Sequence, residues 1–349
     1  MPVRVGIVND LKLAAEVLRK VVAEDPGLEV LWIARDGHEA IAQCARALPD
    51  IVLMDLVMPN LNGVEATRRI MQATPCPILV VTATVSGNID MVYDAMAAGA
   101  IDVTTTPVIG DQRALDSGQV LRRKIHTLWS IARGTASPAV GASAEAARAD
   151  KPDVLAPRLP PVLAIGASTG GPGALATILG GLEQDFPAAI VIVQHIDAEF
   201  VAGLARWLGS STRLPVALAR HGETVQAGKV LIADAGAHLE LAPHGVLLSV
   251  ATPLDALHRP SVDVFFASVA RHAPARSAGL LLTGMGRDGA AGLLSIRQAG
   301  FQTFAQDAAS SVVNGMPGAA VELGAACGII PLDHIATQLN SIFKPLVTS

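Results

Sequence analysis

Two series of alternating strand-like and helix-like segments, separated by a stretch poor in large apolar side chains, constrain this chain more than any other feature. Between residues 1 and 133, short apolar runs recur at 3–8, 28–34, 50–54, 78–82 and 102–105. They are apolar on both faces, as parallel strands covered by helices on each side must be. Helical patterns lie between them, such as 12–23, where Ala14, Val17, Leu18 and Val21 form one stripe. This alternation with short loops predicts a doubly wound parallel sheet. Residues 134–160 are rich in Ala, Pro, Ser and Gly and read as a linker. Strand-like runs resume at 162–165, 189–194, 229–233, 246–250, 279–283 and 301–305, most followed by a Gly-containing turn and a helical pattern. A second α/β unit over 161–349 is expected, with a hairpin set against it between 216 and 250.

Composition narrows the function classes. Of the 349 residues, 51% are hydrophobic and 16% charged, which excludes a disordered chain. A net charge of −5 without a Lys/Arg stripe argues against binding nucleic acid. Residues 1–10 lack a basic segment followed by an apolar one, and no run of about 18 apolar residues escapes interruption. A cytoplasmic protein with no membrane insertion is expected. Cys44, Cys76 and Cys327 are widely spaced with no CxxC pair, so neither a disulfide framework nor a zinc site is suggested.

Ligands of open parallel sheets bind at the carboxyl ends of strands. In the first unit Asp10 follows strand 1, Asp55 ends strand 3, Thr82 ends strand 4, and Thr106-Pro107 follow strand 5. If strands 1 and 3 are neighbours, Asp10 and Asp55 approach each other and repel unless a cation holds them. Hard oxygen ligands favour Mg²⁺, and a carboxylate beside Mg²⁺ can attack a phosphoryl group. The plainer alternative is that both acids cap helix N-termini.

In the second unit Ser168 stands in G-x-S-x-G, between a strand and a helix pattern. Such a turn can present a nucleophile, cradle a phosphate or hold no ligand at all. A serine nucleophile needs a base, and His195 ends an apolar strand where it can share the sheet edge with Ser168. His221, His238, His244 and His258 fall in loops or hairpins and read as surface residues. His38, His126, His272 and His334 fit helical surfaces or termini. Asp288 follows a strand at the same expected edge. Gly284-x-Gly286-x-x-Gly289, with Asp307 beyond it, also matches a dinucleotide fingerprint, although in the wrong half of its domain.

VGIVND, LMDLVMPNLNGVEATRRI, ILVVTA and AGAIDVTTTP resemble a response-regulator receiver domain over residues 3 to about 130. GASTGG, IVIVQH, LLTGMGRDGA and VVNGMPGAA resemble, in order, the catalytic domain of the chemotaxis protein-glutamate methylesterase family, CheB. The resemblance implies a flavodoxin-like (βα)5 receiver domain (1–133), the linker (134–160), and a doubly wound, mainly parallel α/β methylesterase domain (161–349). It implies Ser168 as nucleophile, His195 as base and Asp288 as the acid orienting it, with Thr169 and Met285 near the oxyanion. In the receiver it implies phosphorylation of Asp55, Thr82 as switch hydroxyl, and Mg²⁺ held by Asp10, Asp55 and the Val57 carbonyl. No cofactor is implied in the catalytic domain. The implied substrate is a glutamate methyl ester on a methyl-accepting chemoreceptor, with glutamine deamidation as a second reaction. The implied phosphodonor is a chemotaxis-type histidine kinase, with phosphorylation loosening a receiver packed over the active site.

The receiver departs from its pattern in three places: Asn9 replaces an acid, Thr106 a lysine and Val103 an aromatic. These departures are similar to those of Wsp-type methylesterases of surface-sensing systems. Two other functions compete. A receiver-fused α/β-hydrolase of small esters would use Ser168, Asp288 and His334. A non-enzymatic regulator would only bind receptors.

Overall fold

The computed structural model describes residues 2–83, 89–107, 112–132, 159–253 and 258–344. The chain divides into two compact units, Met1–Ala136 and Ser137–Ser349. Most of the segment read as a linker lies outside the described residues.

The first unit runs β1 (Val3–Val8), α1 (Lys12–Ala23), β2 (Leu28–Ala34), α2 (Gly37–Arg46), β3 (Ile51–Met54), α3 (Gly63–Ala73), β4 (Ile78–Thr82), α4 (Ile89–Ala97), β5 (Asp102–Thr105) and α5 (Gln112–Ala132). Its strands form one parallel sheet in the order β2-β1-β3-β4-β5. β3 and β4 are buried along their whole length. Val5, Ile7, Leu53, Leu79 and Val81 pack with Leu121, Ile125 and Leu128 of α5. Asp36 and Asn62 start α2 and α3 by accepting from the amides of Glu39 and Glu65.

The second unit runs β6 (Val162–Ala167), α6 (Gly171–Gly180), β7 (Ala189–Gln194), α7 (Ala198–Ser211), β8 (Val216–Leu218), β9 (Val230–Ile232), β10 (His238–Ala242), β11 (Val246–Val250), α8 (Val262–His272), β12 (Ala278–Leu281), α9 (Ala290–Gln298), β13 (Gln302–Gln306), α10 (Met316–Glu322), β14 (Gly328–Ile330) and α11 (Leu332–Phe343). Seven strands form a parallel sheet, β14-β13-β12-β6-β7-β9-β8. β10 and β11 pair as a separate antiparallel hairpin. The expected hairpin region is thus only half hairpin, because β8 and β9 extend the main sheet. Ser268 of α8 receives the Leu241 amide at 2.8 Å, and Leu239, Leu241 and Leu247 join Phe265 and Phe266 in one core.

Strand order fixes where chemistry can sit. In each sheet the first strand has its successors on both sides, so the crossovers on either side of it leave a crevice at its carboxyl end. In the first unit β1 lies between β2 and β3; in the second, β6 lies between β7 and β12.

Candidate active site

Ser168 is the first residue past β6 and His195 the first past β7. These strands pair in parallel with Ala167 opposite Gln194, so the next residues, Ser168 and His195, stand side by side. The His195 amide donates to the Ala167 carbonyl at 2.9 Å and continues the ladder to the site. On the other side of β6, the Ser168 amide donates to the Thr283 carbonyl at 3.0 Å. Thr283 opens the loop that carries Asp288 to the start of α9.

Gly284 in that loop lies too close to Ser168 for any side chain. An added Cβ would stand 2.7 Å from the Ser168 Cβ and collide with the Met316 sulfur. Gly170, which opens α6, has φ +77°, a left-handed conformation that turns the chain sharply after Ser168.

Asp288 accepts from His195 Nε2 at 2.8 Å. It also takes the Ser261 hydroxyl at 2.8 Å and the Val262 and Asp263 amides at 2.8 and 3.0 Å. Its carboxylate therefore occupies the N-terminus of α8, where the helix dipole favours a negative charge. The side chain is 12% exposed. Burial alone would raise its pKa, but the hydrogen bond and charge of His195 and the two amides outweigh burial and hold it well below the usual carboxylate range.

A carboxylate that stays ionised must receive a proton from Nε2, so the lone pair of the neutral ring lies on Nδ1. His195 Nδ1 is buried and has no hydrogen-bond partner. It is the nitrogen left to take a proton, and Ser168, 9% exposed, stands on the neighbouring strand end. The serine–histidine hydrogen bond is open here, as such bonds often are without substrate. Thr169 follows Ser168 directly, while Met285 is half exposed between Gly284 and Gly286.

Sequence reading missed the supports beneath these groups. Gln194 ends β7, is fully buried, and donates through Nε2 to the Ser168 carbonyl at 2.8 Å and the His195 carbonyl at 2.9 Å. Gln306 ends β13 and accepts the Thr283 amide at 2.9 Å. For Gln194 a lone glutamine closing an otherwise apolar strand was the available signal; β13, with Gln302 and Thr303 ahead of Gln306, offered none.

Two histidine expectations are corrected. His238 is buried, with Nε2 on the Pro253 carbonyl and Nδ1 accepting the Ser261 amide. His258 is half-buried rather than free at the surface, its ring stacked on His195 with centroids 4.2 Å apart. The site assembles neither competing constellation. His334 is 71% exposed in α11, and the acid beside it is its chain neighbour Asp333. Asp307 is occupied by the Ser310 amide and hydroxyl rather than held open for a ribose.

In the first unit β1 pairs β3 with Val8 opposite Met54, which brings the residues after them to the crevice beside β1. Asp55 accepts the Leu56 amide at 2.7 Å and the Asn9 side-chain amide at 3.1 Å. Burial pushes its pKa up to about 6; the Leu56 and Val57 amides oppose this, and the charge of Asp10 adds to it. Thr82 is buried at the end of β4, and its carbonyl receives the Thr106 amide at 2.9 Å. The Thr106 hydroxyl is buried without a partner. Among the described residues, no three His, Cys, Asp or Glu side chains cluster as metal ligands. Asp10 and Asp55, near enough for the charge of one to raise the pKa of the other, are hard oxygen donors of the kind that fits Mg²⁺, an ion that keeps several waters.

The CheB methylesterase family matches residues 163–339, and the response regulator receiver domain family matches residues 5–115. A protein-glutamate methylesterase/protein-glutamine glutaminase of Burkholderia thailandensis is 50% identical over 340 residues, which cover 97% of each chain. This chain belongs to the CheB methylesterase family. A Pseudomonas putida protein-glutamate methylesterase/protein-glutamine glutaminase of a group 3 operon is 48% identical over 97% of this chain and 99% of its own length. The crystal structure of the Thermotoga maritima CheB methylesterase catalytic domain, 35% identical, covers 52% of this chain and 98% of its own with a TM-score of 0.51. The parallel α/β architecture of both units is that of the family. Among the described residues no helix is long and apolar enough to cross a membrane.

Proposed function

We propose that Ser168, His195 and Asp288 carry the family's reaction in this chain, the hydrolysis of glutamate methyl esters on methyl-accepting chemoreceptors. The observation that carries this reading is the convergence of Ser168 and His195, at the ends of β6 and β7, with Asp288 of the loop after β12, leaving the buried Nδ1 of His195 to accept a proton.

Ser168 Oγ attacks the ester carbonyl while His195 Nδ1 takes its proton, and the ionised Asp288 holds the imidazolium that forms. The amides of Thr169 and Met285 stabilise the oxyanion. The tetrahedral adduct collapses, the proton on His195 passes to the departing methoxide, and methanol leaves a glutamyl ester on Ser168. Water, deprotonated by His195, attacks that ester and releases glutamate, and the proton returns to Ser168. A glutamine side chain follows the same course with ammonia as the leaving group. The catalytic domain needs no cofactor for these steps.

Asp55 is the acceptor for a phosphoryl group from a chemotaxis-type histidine kinase in the cytoplasm. Asp10, Asp55 and the Val57 carbonyl would hold Mg²⁺, which supplies charge neutralisation during phosphoryl transfer. Thr82 is the hydroxyl that reads the phosphoryl group. With Thr106 and Val103 in place of the usual lysine and aromatic, the phosphoryl group gains fewer contacts. It can then shift the regulatory equilibrium less.

The test is methanol release from methylated receptor membranes by wild type and Ser168→Ala, each with and without a phosphodonor. Release that needs Ser168 and rises with phosphodonor is expected. Undiminished release by Ser168→Ala would overturn the assignment, and unchanged release with phosphodonor would overturn the regulation.

A further inference from the structure

We infer that His258 is a positioning residue for His195, an aromatic plate that fixes the plane of the base during proton transfer. The inference rests on the reading of His195 as the base.

His195 is held by a polar side-chain contact at a single ring atom. Its ring has one polar anchor, Nε2 on Asp288, while Nδ1 has no hydrogen-bond partner. Tethered at Cβ and hydrogen-bonded at Nε2, the ring can still tilt about the line that joins these two atoms. Nδ1 must nevertheless point at Ser168 within a narrow range of angles for proton transfer, so something must set the plane.

His258 supplies that surface. Its ring lies 4.2 Å from the His195 ring, centroid to centroid, with only 19° between the planes. This is a stack and not an edge contact, so it limits tilting of His195 from one face. Arg259 and Pro260 lead from His258 to Ser261. Ser261 also donates to Asp288, so the base, its acid and the plate are held by one short segment at the head of α8.

The charge state suits the task. Two ionisable groups face His258, His195 at the end of β7 and Asp288 ahead of α9. Burial is the larger influence on His258 and opposes its protonation; the His195 charge adds to this, and Asp288 opposes both. The net effect lowers its pKa. His258 therefore stays neutral as His195 becomes an imidazolium, and a neutral π face beside a desolvated cation attracts it. A second positive charge at that distance would hinder the proton transfer that the reaction requires.

Size and flatness, rather than ring nitrogens, are the working properties, so phenylalanine should replace His258 and alanine should not. The experiment measures kcat and KM for methanol release from methylated receptor membranes, using full-length wild type, His258→Ala, His258→Gln and His258→Phe. Ser168→Ala and His195→Ala serve as controls, and the thermal unfolding midpoint is recorded for every variant. The expected result is a roughly tenfold fall in kcat for Ala and Gln with KM within about twofold, and recovery to within about threefold by Phe. If Ala fails to fold, the comparison of Phe with Gln decides. Three results would overturn the inference: kcat of Ala and Gln near wild type, a rise in KM with kcat unchanged, or Phe no better than Gln. Activity surviving in Ser168→Ala or His195→Ala would instead remove the triad reading beneath it.

Discussion

Asp288 and Asp55 are both aspartates at strand ends, and their surroundings drive them in opposite directions. Asp288 accepts two backbone amides, a hydroxyl and an imidazole, so its charge survives burial. Replacing it by Asn keeps the shape but no longer holds the Nε2 proton on His195, and kcat should fall roughly 10³- to 10⁴-fold with little change in KM. Steady-state methanol release measures this. Asp55 has fewer donors and a neighbouring negative charge, and its pKa rises to about 6. The folded unit then binds a proton that an unfolded chain, with a pKa of about 3.9, has already released. Stability from this group is present below about pH 4 and is lost as pH rises through about 6. Asp55→Asn should remove that loss and stabilise the first unit at pH 7.5 by on the order of 2 kcal/mol in Mg²⁺-free buffer. Urea unfolding at pH 5 and pH 7.5 gives the answer, and an unchanged pH slope would contradict it.

Among the elements, the strands were legible where their apolar runs are four residues or longer and opaque where they are shorter. β1, β4 and β7, inside their sheets and buried along nearly their whole length, match their apolar runs residue for residue, and so do the less buried β2, β5 and β11, whose runs are four to seven residues long. β8 and β14 have three residues each, lie at the sheet edges and are only partly buried, so their patterns are too short and mixed to read. Ser168, His195 and Asp288 could be singled out because each follows a strand run and bears a chemistry-bearing side chain. His258 could not, since nothing along the chain marks a loop histidine whose partner is 63 positions upstream. Gln194 makes the point energetically. Gln194→Leu would leave the Ser168 and His195 carbonyls without their side-chain donor, at a cost of about 2 kcal/mol of stability. It should also slow turnover, because both strand ends lose their clamp. Thermal unfolding and kcat measured together test this, and a variant as stable and active as wild type would refute the clamp.

For the whole molecule, two sheets obey one rule on separate cores. β1 and β6 each open a sheet and then sit inside it, and each has its candidate chemistry at the carboxyl end. The core of the second unit is built from its own residues, Val162 to Ala325, as that of the first is from Val3 to Leu128. A fragment of residues 159–349 should therefore fold alone and release methanol, with no response to a phosphodonor. An insoluble or inactive fragment would show that the first unit completes the second. The same fragment compared with the full chain reports how strongly an unphosphorylated first unit restrains catalysis.

The register that sets Ala167 beside Gln194 also has an evolutionary reading. Side chains alternate faces along a strand, so inserting or deleting one residue within β7 would turn His195 to the opposite side of the sheet while leaving the hydrogen-bond ladder intact. Such a change would spare folding and end catalysis. Changes of length are tolerable at the amino ends of the strands, in connections such as the one from α6 to β7, where added residues bulge into solvent. Lineages of this chain can drift in length on one rim of the sheet and are held to a fixed count on the other.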